Sequence, residues 1–310
     1  MSLLTPVPRT PARPGPGPTP EALLRALDVT IGRRIRGLVP GEFRALDLGG
    51  GTELAQVRPY EPGDDVRRID WNVTARMLVP HVRVHVPERS LTTWLVLDES
   101  PSMAFGTADR RKADVAEGVA LALGHLSTQR GNRLGVLTYG ASETRRIPPR
   151  GGRAGLLSVL AASAPDGGTA ARPASDATPL SALRFLAGGA SRGGLVALVS
   201  DFRGPRDWLP LLAPVAARHH LLAVEIRDPR EDDLPDVGDL TLVDAETGRE
   251  VRVDTSSRRL RARFAEAAAA ERASLALELR RLGARHIVLS TSGEWLRSLA
   301  VQLRVGGHVA

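Results

Sequence analysis

Asp98, Ser100 and Ser102 place oxygen donors at every second position of Asp98-Glu99-Ser100-Pro101-Ser102. They directly follow 92–97 (TTWLVL), a short apolar run of the kind that forms a strand covered on both faces. A second carboxylate, Asp201, follows a similar run at 194–200 (GLVALVS). Thr178 stands before Pro179, which pairs an N-cap with proline at the first helical position, and Leu180 and Leu183 continue a helix from there. Two carboxylates and three hydroxyls are all hard oxygen donors. Magnesium suits such a set because it takes six oxygens in near-octahedral geometry and keeps some of its waters. Manganese is the second choice. The chain has no cysteine and no histidine adjoins these segments, which disfavours a softer metal.

Catalysis is the competing chemistry. Asp98 at a strand end could accept a phosphoryl group, as in a haloacid dehalogenase-like, metal-dependent phosphatase. Ser100 stands where such an enzyme needs a second aspartate, so proton transfer has no occupant. No G-x-S-x-G nucleophile elbow is present. His125 and His286 fall within helix and strand patterns, where a packed or surface histidine is the ordinary role. In a third reading the serines and aspartates only cap helices and satisfy backbone donors, which makes the chain a metal-free scaffold.

Other polar clusters carry less. Gly49-Gly50-Gly51 lacks the lysine of a phosphate-binding loop and reads as a turn. His81, Arg83 and His85 share one face of a strand at 78–87 and read as a solvated face, with no third ligand for a metal. His219-His220 opens a strand and reads as surface. Glu231, Asp232, Asp233 and Asp236 form an acidic loop without EF-hand spacing. The basic run at 258–263 (RRLRAR) reads as a solvated helix face or a surface for an anionic partner.

The elements that must hold Asp98 and Asp201 alternate from residue 91 onward. Strands are expected at 92–97, 133–139, 194–200, 220–226 and 285–290, and helices at about 108–130, 152–163, 179–189, 206–217, 257–282 and 293–304. An edge strand is expected at 142–147 and a hairpin at 239–254 around Gly248. Such alternation implies an α/β fold, a Rossmann-like, doubly wound and mostly parallel sheet. Ligands of such sheets bind beyond the carboxyl ends of the strands, where Asp98 and Asp201 fall. Three parts follow: a disordered proline-rich tail at 1–20, a smaller and partly β region at 21–89, and the α/β domain at 90–310. In the smaller region Pro62-Gly63 marks a turn, and Asp64, Asp65 and Asp70 interleave with Arg67 and Arg68 as an ion-pair network.

Composition excludes several classes. The 310 residues carry a net charge of +7, yet of 42 basic residues only Lys112 is a lysine. The basic residues are scattered among 35 acids and aromatics make up only 4%, a poor footprint for nucleic acid. The missing cysteines exclude disulfides, zinc–thiolate sites and cysteine nucleophiles. No run approaches the roughly 18 apolar residues of a membrane span, and 1–20 has no apolar stretch of signal-peptide type. A cytoplasmic protein is expected.

Asp98-x-Ser100-x-Ser102 at a strand end, with Thr178 and Asp201 further on, resembles the metal-ion-dependent adhesion site of von Willebrand factor A domains. The resemblance implies that Ser100, Ser102 and Thr178 ligate magnesium directly while Asp98 and Asp201 act through waters or hydrogen bonds. The metal would then take its last ligand from a partner, usually a carboxylate. Ala177 and Pro179 flank Thr178 where the family often has a glycine and a polar residue, so Thr169 in Gly167-Gly168-Thr169 is the alternative third member. The segment 58–71 (RPYEPGDDVRRIDW) resembles the signature of the family called domain of unknown function 58. That likeness implies a soluble member of the family: a magnesium-dependent protein-binding module, accessory or adaptor to a MoxR-type AAA+ ATPase in protein maturation.

Overall fold

The computed structural model of the chain describes residues 13, 15, 17, 53–86, 91–128, 131–141, 144–163, 179–189, 193–245 and 248–305. The chain divides into two compact units, one drawn from Pro40–Ser90 and the other from Leu91–Ala310 with the described residues before Val39. The tail expected at 1–20 lies outside the described residues except for Arg13, Gly15 and Gly17, and Gly49-Gly50-Gly51 lies outside them entirely.

In the smaller unit β1 (Glu53–Pro59) pairs antiparallel with β2 (His81–Val86), and α1 (Trp71–Met77) lies between them in sequence. Gly63, with φ 111°, supplies the left-handed residue of the Pro62-Gly63 turn. The acidic residues here serve local geometry. Asp64 takes a bidentate pair from Arg58 at 2.8 and 2.7 Å. Asp65 caps the 3-10 turn Val66–Arg68, and Asp70 caps α1 by accepting from the amides of Asn72 and Val73. The ion pair thus runs to Arg58, because a short aspartate at a helix start meets backbone N–H groups first. His81 also departs from expectation: it is buried, not solvated, and its Nδ1 lies 2.7 Å from the Val79 carbonyl. Its backbone is pinned by Thr74 Oγ1 and Asp70 N, which fold α1 back onto the strand. The side chains of Arg83 and His85 lie outside the described set.

The larger unit is built on a six-stranded sheet. Its elements are β3 (Thr92–Asp98), α2 (Lys112–Thr128), β4 (Arg133–Tyr139), β5 (Arg146–Gly151), α3 (Gly152–Ser163), α4 (Leu180–Gly189), β6 (Gly194–Ser200), α5 (Leu209–Ala216), β7 (His220–Arg227), β8 (Asp239–Val243), β9 (Glu250–Asp254), α6 (Arg258–Arg281), β10 (Arg285–Ser290) and α7 (Trp295–Val305). The strand order is β10-β7-β6-β3-β4-β5. Every pairing is parallel except that of β4 with the edge strand β5. The fold is the Rossmann-like, doubly wound and mostly parallel α/β one that the sequence pattern implies.

Alternate residues of the strands feed two cores. Leu95 and Leu97 pack with Val115, Val119 and Leu123 of α2 and with Trp295 and Leu299 of α7. Trp94 and Val96 pack on the other face with Leu183 of α4, Leu212 of α5 and Leu279 of α6. All seven residues of β3 are buried, as a central strand covered on both faces requires. After β3 the chain runs outward through β4 to β5, then returns to lay β6, β7 and β10 on the other side. The order therefore reverses between β3 and β6, the switch point where such sheets open a crevice.

Two elements and one side chain depart from expectation. The edge strand spans Arg146–Gly151 where 142–147 is expected, and it tolerates Pro148-Pro149 because a sheet edge needs no inward N–H. The helix expected from about 108 begins at Lys112, where Asp114 accepts from the Arg111 amide. His219 is buried rather than exposed, and burial lowers its pKa. The hairpin β8–β9 pairs Asp239 with Asp254, and Gly248 has φ 69° in its loop. No described helix is long and apolar enough to cross a membrane.

Candidate functional site

The carboxyl ends of β3, β4 and β6 meet on one carboxylate. Parallel register sets Asp98 opposite Tyr139 and Leu97 opposite Val199. Asp98 Oδ1 accepts from the Ser100 amide at 2.9 Å, and Oδ2 accepts from the Tyr139 hydroxyl at 3.0 Å and Ser200 Oγ at 2.5 Å. Both Asp98 oxygens are thus engaged, and the residue is only 8% exposed. Ser100 opens the 3-10 turn 101–104, which carries Ser102 back so that the two serine Oγ atoms lie 3.1 Å apart.

Two backbone positions hold this arrangement. Gly140, at φ 85°, follows β4, and a Cβ there would stand 2.5 Å from the Ser100 nitrogen. Phe202 adopts φ 52°, rare for a side-chain-bearing residue, with its ring packed 5.6 Å from Trp208. Its amide donates to Ser200 Oγ at 2.8 Å. The buried ring overdetermines the strained turn and so fixes the flanking Asp201.

Asp201 Oδ1 accepts from the Arg203 amide at 3.0 Å, and Oδ2 accepts from Lys112 Nζ at 2.5 Å. Lys112 is 1% exposed and also donates to Glu231 Oε1 at 2.7 Å. Its ammonium lies 5.7 Å from the centre of the Phe105 ring. Glu231 Oε2 closes a capping box by accepting from the Asp228 amide at 3.0 Å. The acidic loop is therefore not a free cluster. Glu231 faces Lys112, Asp232 pairs with Arg272, and Asp236 lies 3.0 Å from Arg261.

Asp98, Ser100, Ser102 and Asp201 thus come together at one sheet edge, while Thr178 and Thr169 lie outside the described residues. Helix α4 does begin at Leu180. Lys112, Tyr139, Ser200 and Glu231 join the site without having been singled out for it. Only Lys112 carried a legible signal, as the single lysine in a chain that otherwise uses arginine.

Burial and the charge of Asp201 push the Asp98 carboxyl up to about 6, against hydrogen bonds from Ser100 and Ser200 that favour the anion. Tyr139 is also raised, by burial and by the neighbouring Asp98 charge. Folding raises the Asp98 pKa, so its contribution is most favourable below the ordinary value of 3.8 and is lost as pH rises through about 6. Asp98→Asn keeps the shape without the charge. In EDTA, wild type should lose about 2 kcal/mol relative to this variant between about pH 4 and about pH 7. Urea unfolding at both values checks this, and parallel stability curves would refute it.

The donors present fit a hard cation held through hydroxyls. Two cis ligands about 2.1 Å from magnesium are about 3 Å apart, close to the serine spacing of 3.1 Å. Among the described residues no three His, Cys, Asp or Glu side chains form a metal-ligating group, so a cation here would draw part of its shell from the serine hydroxyls. Beside these hydroxyls Lys112 is a fixed cation already bound to Asp201.

The family model described as "Protein of unknown function DUF58" matches residues 56–274. The chain belongs to the DUF58 family. It is 42% identical over 285 residues to an uncharacterized protein of Mycobacterium tuberculosis (strain ATCC 25618 / H37Rv), covering 91% of this chain and 88% of that one. An uncharacterized protein of Mycobacterium avium is 46% identical over 110 residues, covering 35% of this chain and 63% of the other. Among solved structures, this DUF58 chain is similar to the conserved hypothetical protein BatB from Bacteroides thetaiotaomicron, with a TM-score of 0.41, 13% identity and coverage of 70% and 97%. It is also similar to the SpRpn10 VWA domain, with a TM-score of 0.36, 13% identity and coverage of 71% and 98%.

Proposed function

We propose that this DUF58 protein is a non-enzymatic, cytoplasmic protein-binding module whose partner-binding site lies at the carboxyl ends of β3 and β6. Ser100 and Ser102 would hold magnesium directly, with Thr178 as the third hydroxyl, and Asp98 and Asp201 would act from behind. The observation that carries this reading is the serine pair, 3.1 Å apart beside a carboxylate whose two oxygens are already engaged. When bound, the cation would supply an electrophilic position for a partner's carboxylate. The chain's own part is to fix the hydroxyls, hold Asp98 in place through Tyr139 and Ser200, and exclude water from beneath.

The same engagement of Asp98 counts against phosphoryl transfer, which needs a carboxylate oxygen open to attack the substrate. The proposed partner is a MoxR-type AAA+ ATPase or its client, presenting an acidic side chain. A metal-free scaffold is the second reading, and Lys112 favours it by supplying a cation of its own. The test is capture from source lysate in magnesium and in EDTA, with wild type and Ser102→Ala as baits. Ser102 is partly exposed, so the variant keeps the core. An AAA+ ATPase captured only with magnesium and Ser102 is the expected result. Identical prey in every lane would remove the site from the binding surface.

A further inference from the structure

We propose that Lys112 is the built-in counter-cation of this site, and that its grip on Asp201 keeps the resting affinity for divalent metal low. This rests on the reading of Ser100 and Ser102 as metal-holding groups. Three observations carry it. The first is residue choice. Of 42 basic residues only this one is a lysine, and it is also the one set at 1% exposure beside the site. A compact ammonium fits between two carboxylates where a planar guanidinium needs more room.

The second is contact. Nζ lies 2.5 Å from Asp201 Oδ2 and 2.7 Å from Glu231 Oε1, so it draws on the same carboxylate that a metal would use. A divalent ion arriving at the serines would therefore face a fixed positive charge and a carboxylate already neutralised. The third is mechanical linkage. Lys112 donates its backbone N–H to the Phe105 carbonyl at 2.9 Å, and Phe105 ends the 3-10 turn that bears Ser102. Its ammonium lies over the Phe105 ring as well. The serine loop and the ammonium are therefore tied by contact, and a partner that displaces the loop would also disturb the hold of Lys112 on Asp201.

Calorimetric titration of magnesium into wild type and Lys112→Met tests the idea, with melting curves to confirm folding. The expected result is a Kd about tenfold lower in Lys112→Met. Arg203→Gln is the charge control. Arg203 also lies near Glu231, with its guanidinium 3.8 Å from Oε2, but it reaches Asp201 only through its backbone. Equal tightening in both variants would reduce the effect to general charge and overturn the contact. Equal affinities in wild type and Lys112→Met would overturn the proposal while leaving the metal reading intact. No binding in either would overturn both.

A second readout does not depend on a variant of Lys112 folding. Lysine-selective isotope labelling gives a single side-chain signal in this chain. That signal should shift on magnesium saturation of wild type, and not in Ser102→Ala. A signal unmoved at saturation would mean that Lys112 keeps Asp201 when metal binds, and the proposal would fall.

Discussion

Asp201→Ala is expected to lower the unfolding free energy by about 3 kcal/mol in EDTA. The substitution removes one of the two carboxylates that hold the Lys112 ammonium, a group only 1% exposed. Breaking a buried pair from one side costs about 3 to 5 kcal/mol because the remaining charge stays buried. Glu231 still accepts at 2.7 Å, which places the loss at the low end of that range. The Arg203 amide also loses its acceptor, which adds about 1 kcal/mol. Against these stands the relief of Asp98, which Asp201 pushes toward protonation. That relief is the smaller quantity, since burial is the leading cause of the Asp98 shift. Combining Asp201→Ala with Lys112→Met should recover much of the loss, and a double-mutant cycle measures the coupling. A loss under about 1 kcal/mol for the single variant would mean that the pair is effectively solvated.

Gly140→Ala should be nearly as damaging, and damaging to the site in particular. An alanine at φ 85° is strained by about 1 kcal/mol on its own. Its Cβ would also stand 2.5 Å from the Ser100 nitrogen and 2.8 Å from its Cα, backbone atoms that cannot rotate away. The loop bearing Ser100 and Ser102 must shift, which disturbs the Ser100 amide bond to Asp98. We expect a total loss of about 3 kcal/mol, by analogy with overpacking of a well-filled interior. Magnesium-dependent capture should vanish with it. Gly131→Ala supplies the comparison. Its φ is 71°, yet a Cβ there meets nothing within 4 Å, so only the conformational cost of about 1 kcal/mol applies. Equal losses in the two variants, by urea unfolding, would show that the approach to Ser100 contributes nothing.

The elements were readable because their signals are local. A run such as TTWLVL declares a buried strand by its own composition, and the strand found there is Thr92–Asp98. A polar residue directly after such a run must fall at the carboxyl end, so Asp98 and Asp201 could be assigned to one edge of a parallel sheet before any coordinates. The serines at alternate positions after Asp98 were equally plain. Boundaries were less legible. The chain holds 3-10 geometry at 101–104 and starts its helix only at Lys112, a choice set by contacts of Phe105 and Asp114.

Sequence alone thus determined the fold class, the strand ends and the oxygen-rich chemistry placed on them, because hydrophobic period and residue type act within a few positions. It misjudged His81 and His219, which pattern placed at the surface and packing buried. It also left the acidic loop unassigned. Glu231 meets Lys112 across 119 residues, and Asp201 meets it across 89. No local period encodes such a meeting. It exists because the strand order sets the end of β6 beside that of β7, with the start of α2 above both, and a buried ammonium is tolerated only where that arrangement brings two carboxylates to it.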